Sequence, residues 1–180
     1  MRDPLVLCYH AVSPVWEADI SVAPGQLERH VGRLLRRGYR PVTFTEALTA
    51  PASGRVLAIT FDDAYRSVLE LARPLLDRLG APATVFAPTA LVGRRAAWAG
   101  VDVWAQTPHA AELEVMDWDE LAELRDAGWE VGSHTRTHPH LTELSDAELV
   151  AELGGSRDEL AERLGAPPAS IAYPYGDVDD

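Results

Sequence analysis

Three histidines lie within seven residues of one another, in the segment 131–141, and they follow a short apolar stretch. His134 and His138 are four residues apart, so one turn of helix or a tight loop would direct both imidazoles at one point. Neutral imidazoles in this arrangement suit a divalent metal. The segment is therefore the first candidate for a metal site.

A borderline metal with nitrogen ligands also favours an oxygen ligand, and residues 57–63 offer one. There a β-branched, apolar run ends abruptly in two neighbouring carboxylates, Asp62 and Asp63. Adjacent side chains of an extended segment point to opposite sides. At the end of a strand, one aspartate can therefore face a metal while the other faces a substrate.

Strand and helix patterns alternate along the chain. The predicted strands are residues 5–9, 41–43, 55–60, 83–86, 129–132 and 170–173, and the predicted helices are 24–38, 43 to near Pro51, 68–79, 117–127 and 145–164. This alternation predicts a mainly parallel sheet with helices outside it. Ligands in such folds collect at the carboxyl ends of the strands, where both candidate clusters and His10 fall. Residues 88–115 show no periodicity and are too long for a simple connection, which is typical of a functional loop.

Composition restricts the partners and the compartment. The 180 residues are predicted to form one domain, and the formal charge of −12 argues against nucleic acid or an anionic membrane surface as a partner. Cys8 is the single cysteine, which excludes an intrachain disulfide and a thiolate metal site. The sequence shows no signal-peptide core and no transmembrane run, so we expect a cytoplasmic protein without membrane insertion. The pattern does not indicate an oligomeric state.

Three short motifs resemble, in order, the first three motifs of the polysaccharide deacetylases, the NodB homology domain of carbohydrate esterase family 4. They are residues 60–63 (Thr-Phe-Asp-Asp), 133–138 (Ser-His-Thr-Arg-Thr-His) and 172–176 (Ala-Tyr-Pro-Tyr-Gly). Further similarity lies at residues 9–10 and 118–121, so the resemblance covers nearly the whole chain. It implies a distorted (β/α) barrel and a hydrolase that removes N-acetyl groups from an amino-sugar polymer or oligosaccharide.

The resemblance also implies a role for individual residues. One divalent cation, usually zinc, would be bound by Asp63, His134 and His138, while Asp62 would act as general base. Tyr175 would donate its backbone N–H to the oxyanion. The remaining expected site residues are His10 as a catalytic group and Tyr173, Pro174 and Trp98 as contacts to the carbohydrate.

Two departures from the family pattern affect these expectations. Ala172 stands where the family often has an arginine that orients the base, so Asp62 must be supported by another group. The family's fourth and fifth motifs, including the Leu-x-His whose histidine serves as general acid, do not occur before Asp180. We therefore expect residues 1–180 to form a single domain that is incomplete at its C-terminus. The leaving amine would then take its proton from Asp62 or His10.

Simpler interpretations exist for several of these residues. Neighbouring aspartates after a strand often serve as a turn or a helix cap, and His140 is most simply an exposed loop histidine. Trp98 and Trp104 could anchor the long loop to the core instead of stacking on a sugar. Acidic residues of the last helix, Glu148, Glu152, Asp158 and Glu159, are most simply a solvated face.

Two other functions are compatible with the same residues. One is a metal-dependent hydrolase of a non-carbohydrate amide or imide on the same scaffold. The other is a catalytically weak carbohydrate-binding relative that keeps the metal and the fold. Release of acetate from chitooligosaccharides separates the expected activity from both.

Overall fold

The computed structural model describes residues 3–49, 54–98 and 101–178. The strands are β1 (Leu5–Tyr9), β2 (Ala11–Val12), β3 (Ser21–Val22), β4 (Tyr39–Val42), β5 (Arg55–Phe61), β6 (Thr84–Ala87) and β7 (Glu130–Ser133). The α-helices are α1 (Pro24–Arg36), α2 (Phe44–Thr49), α3 (Arg73–Arg78), α4 (Trp118–Asp126) and α5 (Asp146–Leu164). Within these residues, no helix is long and apolar enough to cross a membrane.

The main sheet is parallel throughout and is centred on β5. β1 pairs along one edge of β5, whereas β4 and β6 share the opposite edge. β4 lies beside the first half of β5, with Val42 opposite Ala58, and β6 lies beside the end, with Thr84 opposite Thr60. β7 continues the sheet beyond β6, and β2 and β3 form a separate two-stranded ladder. The predicted parallel α/β sheet is therefore confirmed.

The last predicted strand, residues 170–173, is shorter than expected. It contributes one parallel bridge, between Ile171 and Ser133 of β7. The strand pairs of the described residues form an open path from β1 to this bridge. Every carboxyl end along this path nevertheless lies at the same side of the sheet, which places the ends of β1, β5 and β7 together.

The core lies between the sheet and the helices. Residues 57–61 of β5 are fully buried or nearly so, as expected for a central parallel strand that is covered on both faces. From α1, Leu27 and Val31 are fully buried, and Gly38 adopts the positive φ of 79° that ends the helix. Replacement of a buried leucine such as Leu27 by alanine lowers the free energy of unfolding of a globular protein by about 2–5 kcal/mol.

The helices begin and end at recognisable local features. Asp117 and Glu120 form a capping box at the start of α4. The turn before Pro74, Val68–Ala72, is a π-helical turn that runs into α3. The predicted end of α2 near Pro51 lies outside the described residues.

Glu130 joins three elements at the opposite end of the sheet from the carboxyl ends. Its carboxylate accepts hydrogen bonds from the backbone N–H and hydroxyl of Thr45, from Thr84 Oγ1 and from Ser170 Oγ. Thr84 Oγ1 also accepts from the N–H of Phe44. Burial on its own raises the pKa of Glu130. These hydrogen bonds together lower the pKa by a larger amount, so it lies below the usual value.

We expect Glu130→Gln to lower the free energy of unfolding at pH 7 by roughly 1–3 kcal/mol, because the amide accepts fewer hydrogen bonds than the charged carboxylate. A lowered folded-state pKa means that the stabilisation is present above the unfolded pKa, near 4.5, and is lost as the pH falls through the folded pKa. Urea unfolding of both proteins from pH 7 to pH 3 measures this difference. Glu162→Gln, at an exposed position of α5, is the control. A difference that stays constant down to pH 3 would contradict the role of the charge.

Candidate metal centre

The two aspartates follow β5 at a left-handed turn. Asp63 has a φ of 68° and Ala64 a φ of 51°, a conformation that non-glycine residues rarely adopt. Strand alternation alone would direct Asp62 and Asp63 to opposite sides. Because the chain leaves the extended conformation at Asp63, both carboxylates instead line one cavity, with Asp63 buried and Asp62 partly exposed.

The two candidate histidines lie in a tight loop after β7, not in a helix. His134 follows the strand directly, and left-handed φ angles at Thr135 (66°) and His138 (63°) turn the chain back. Thr135 Oγ1 accepts a hydrogen bond from the N–H of His138 at 3.1 Å. His134 Nδ1 lies 2.9 Å from the carbonyl oxygen of Ala172. Since a carbonyl only accepts, Nδ1 carries the proton, which leaves the lone pair of the neutral ring on Nε2.

These residues bring three ligand atoms together. Asp63 Oδ1 lies 3.4 Å from His134 Nε2 and 3.3 Å from His138 Nε2, and the three candidate ligand atoms lie within 4.8 Å of one another. The residues are 3, 2 and 7% exposed. The structure thus brings together the three residues that the resemblance assigned to the metal, with Asp63 coming from a strand two positions away in the sheet.

The polar atoms around this point fit a cation. Among the described residues, Asp63 Oδ1, His138 Nδ1 and Tyr65 Oη are buried and have no hydrogen-bond partner. Unpaired buried polar atoms are rare and costly in folded proteins. Two imidazole nitrogens and a carboxylate oxygen are also the donors that a divalent metal accepts. The cluster is therefore a candidate metal-binding triad.

The buried groups at this site shift one another's pKa values. Burial raises the pKa of Asp63, but the neighbouring imidazoles of His134 and His138 lower it more, so the carboxyl group stays ionised. Burial lowers the pKa of His134, whereas Asp63 raises it to a larger extent. Burial, followed by the charge of Asp63, raises the pKa of Tyr65, so its phenol stays protonated. The ionised carboxylate of Asp63 is thus the negative group of the buried triad.

Asp62 has different neighbours. Its N–H donates to the carbonyl of Tyr9, and its Oδ2 lies 3.4 Å from Cys8 Sγ. Burial and then the charge of Asp62 raise the pKa of Cys8 to about 12, so the thiol is protonated and can donate. With alanine at position 172, Cys8 is therefore a group that supports the Asp62 side chain.

A cavity of about 690 Å³ opens above the triad. Its lining includes the candidate residues His10, Asp62, Trp98, Tyr173 and Tyr175 together with the triad. Pro174 is buried and does not line the cavity, which gives it a packing position. Sequence reasoning did not single out Asp19, Ile20 or Gly176, which also line it.

The long segment 88–115 reaches into this cavity through Trp98. The Trp98 ring stacks on His138 with a centroid distance of 4.3 Å and an interplanar angle of 23°. Trp104 packs edge-on against buried Trp16 at 5.6 Å and also lines the cavity. The two interpretations of these tryptophans are thus compatible, because both rings pack on the core and both face the cavity.

Tyr175 is held by a cluster that the sequence did not reveal. It has a left-handed φ of 60°, and its ring stacks on His140 with centroids 3.7 Å apart and planes 8° apart. His140 Nδ1 in turn lies 2.5 Å from Asp177 Oδ2. His140 is thus not simply an exposed loop histidine, because it orders the segment that carries Tyr175. Asp177 is 37 residues from His140, and no local pattern signals the contact.

Comparisons with known proteins agree with this geometry. The Staphylococcus aureus poly-beta-1,6-N-acetyl-D-glucosamine N-deacetylase is 27% identical over 175 residues, which cover 90% of this chain and 56% of that protein. Chitin deacetylase 1 of Cryptococcus neoformans is 43% identical over 54 residues, or 30% of this chain and 12% of that protein. The chain thus spans about half the length of the first relative and a small part of the second.

Solved structures show the same fold. IcaB from Ammonifex degensii superposes with a TM-score of 0.80 at 25% identity, over 98% of this chain and 76% of that one. The Streptococcus pyogenes deacetylase PplD, solved in complex with acetate, gives a TM-score of 0.79 at 23% identity over the same shares of the two chains. The expected barrel-like deacetylase fold is thereby confirmed. The family model described as polysaccharide deacetylase matches residues 49–180, and the chain belongs to this family.

Proposed function

We propose that this chain is a metal-dependent hydrolase that removes N-acetyl groups from an amino-sugar polymer or oligosaccharide. The observation that carries the proposal is the convergence of Asp63 Oδ1 with the Nε2 atoms of His134 and His138 in a cavity that Asp62 also lines. The two curated relatives are named as deacetylases of poly-β-1,6-N-acetylglucosamine and of chitin, which supports a substrate of this class.

The metal in this proposal is one zinc ion held by Asp63, His134 and His138. Two imidazoles and one carboxylate are a common protein ligand set of catalytic zinc, and three protein ligands leave a position open. When bound, such an ion polarises an amide carbonyl and lowers the pKa of water. The hydrogen bond from His134 Nδ1 to Ala172 leaves the Nε2 lone pair free to bind such an ion.

Asp62 and Tyr175 provide the groups for attack on the amide. Asp62 accepts a proton from the attacking water as the water oxygen bonds to the carbonyl carbon. The Tyr175 backbone N–H then donates to the oxygen that becomes negatively charged. Stacking on His140 fixes the Tyr175 ring, and with it the left-handed backbone that directs this N–H.

The leaving amine needs a proton when the carbon–nitrogen bond breaks. Asp62 holds a proton after the attack and can return it. His10 lies at the carboxyl end of β1 and lines the same cavity, so we assign it as the alternative donor. Acetate and a free amino sugar are the products.

The partner is a carbohydrate that carries N-acetylated amino sugars. Trp98 and Tyr173 line the cavity, and aromatic rings stack on the apolar faces of sugars. Tyr173 is 54% exposed and is free to contact a chain that extends out of the cavity. Trp98 is stacked on His138, so its ring lies next to the triad at the wall of the cavity.

The function is tested by acetate release. The zinc-reconstituted chain should release acetate from N-acetylglucosamine oligomers with β-1,4 or β-1,6 linkages, and a chelator should abolish the release until zinc is restored. Small cyclic imides serve as the comparison substrates. Imide opening without acetate release would indicate the other hydrolase class, and bound zinc without any hydrolysis would indicate a binding protein.

The ligand assignment is tested by comparing two histidines of the same loop. His138→Ala should greatly reduce bound zinc, because it removes one of three buried donors. His140→Ala should keep the zinc and reduce turnover, because it removes only the ring on which Tyr175 stacks. Metal content by mass spectrometry and the rate of acetate release measure both effects. Equal zinc loss in the two variants would contradict the assignment.

The roles of the two aspartates are tested by Asp62→Asn. This variant should retain zinc while its turnover falls by roughly 10² or more, because the amide cannot accept the proton from water. Asp63→Asn should instead lose zinc. If Asp62→Asn loses zinc and Asp63→Asn keeps it, the two residues have been assigned the wrong way round.

A further inference from the structure

The loop between the two candidate histidine ligands rests on one face of α5. Glu152 Oε2 accepts hydrogen bonds from the backbone N–H groups of Arg136 at 2.8 Å and Thr137 at 2.9 Å. Glu152 Oε1 accepts from Thr137 Oγ1 at 2.8 Å. One half-buried carboxylate therefore binds three donors of the segment that separates His134 from His138. This contact overturns the expectation that Glu152 belongs to a solvated face.

A second contact between α5 and the loop requires a glycine. The Arg136 side chain crosses the helix at Gly155, where an added Cβ would lie 2.4 Å from Arg136 Cδ. The crossing brings Arg136 Nε to 2.8 Å from Glu159 Oε1. Glu159 thus also departs from the expected solvated face. At neighbouring Gly154 an added Cβ would meet nothing within 4 Å.

The other side of the loop is held by the segment after β6. The N–H of Thr89 donates to the carbonyl of Thr135 at 3.1 Å, and the N–H of Ala90 donates to the carbonyl of Arg136 at 2.9 Å. The N–H groups of Arg136 and Thr137 are therefore bound by α5, and the carbonyls of Thr135 and Arg136 are bound by residues 89 and 90. Among these partners, Glu152 is the charged one.

This loop needs such support because its backbone is strained. Thr135 and His138 both have left-handed φ angles, which are unfavourable at non-glycine residues. Without external hydrogen bonds the loop would relax, and the two imidazoles would no longer converge on Asp63. Hydrogen bonds to a charged group are about twice as strong as neutral ones, so Glu152 is the partner best able to offset this cost.

We propose that Glu152 is a positioning residue that holds the His134–His138 loop in the geometry that binds the metal, and that Gly155 lets Arg136 complete the contact. The inference rests on the metal site of the proposed function and extends it to α5. Glu152 does not contact the ion or the substrate. It acts through the peptide groups of Arg136 and Thr137.

The test measures zinc dissociation constants of the folded chain by competition with a chromophoric chelator. Glu152→Ala should weaken zinc binding by roughly 10–100-fold, the usual effect of losing a group that orients metal ligands. Glu152→Gln should bind zinc within a few-fold of the parent. Its amide oxygen can accept both N–H groups, and its amide nitrogen can donate to Thr137 Oγ1. Glu162→Ala, an exposed glutamate of the same helix, should leave the constant unchanged.

A purely structural role for Glu152 would lower the melting temperature without changing the zinc constant of the folded chain. Unchanged zinc binding in Glu152→Ala would therefore overturn the inference, and so would equal weakening in Glu152→Ala and Glu152→Gln. If Glu152→Ala does not fold, a comparison of Gly155→Ala with Gly154→Ala tests the inference instead. Gly155→Ala should weaken zinc binding, whereas Gly154→Ala should not, and equal constants for the two would overturn it.

Failure of this inference is distinguishable from failure of the proposed function. A parent chain that binds zinc but releases no acetate would contradict the hydrolase, while the zinc constants still decide the role of Glu152. A parent chain that binds no zinc would overturn the metal site and the role of Glu152 together. Hydrogen exchange of the Arg136 and Thr137 amides gives an independent measurement. These amides should exchange faster in metal-free Glu152→Ala than in metal-free Glu152→Gln.

Discussion

The convergence of acceptor atoms at one buried point is the constraint on which the rest of this structure depends. Asp63 Oδ1 lies 3.4 and 3.3 Å from two imidazole Nε2 atoms, and the hydrogen bond from His134 Nδ1 to Ala172 directs the His134 lone pair at the carboxylate. Acceptors at this distance repel unless a proton or a cation lies between them. The surrounding fold must therefore hold the three groups in an arrangement that they would not adopt alone.

The backbone around this point is strained. In the described part of the chain, every non-glycine residue with a left-handed φ lies at the site: Asp63, Ala64, Thr135, His138 and Tyr175. Such strain persists only where neighbouring structure over-determines the conformation. Here the support comes from a buried parallel sheet below, from α5 beside the histidine loop and from His140 beneath Tyr175.

The sequence predicted the parallel sheet, the helices and the grouping of Asp63 with His134 and His138, because these follow from periodicity, strand-end position and ordered motifs. It did not predict what holds the group in place. Glu152 reads as one of several acidic residues on an amphipathic helix, and its function appears only when the fold brings it to peptide groups 15 and 16 residues away. The left-handed turn at Asp63 and Ala64 was equally hidden, because alanine gives no signal of a positive φ and a single aspartate is a much weaker signal than glycine.

The two histidines of the triad are fixed by different physical means. His134 is oriented by a hydrogen bond, whereas His138 Nδ1 has no hydrogen-bond partner among the described residues. His138 is instead enclosed by rings, with Trp98 stacked on it at 4.3 Å and the edge of Tyr175 at 4.8 Å. Rotation of its imidazole is therefore blocked in the folded chain by packing alone. The conformational entropy that a free imidazole loses on coordination is lost here during folding, so it does not reduce affinity at the moment of binding.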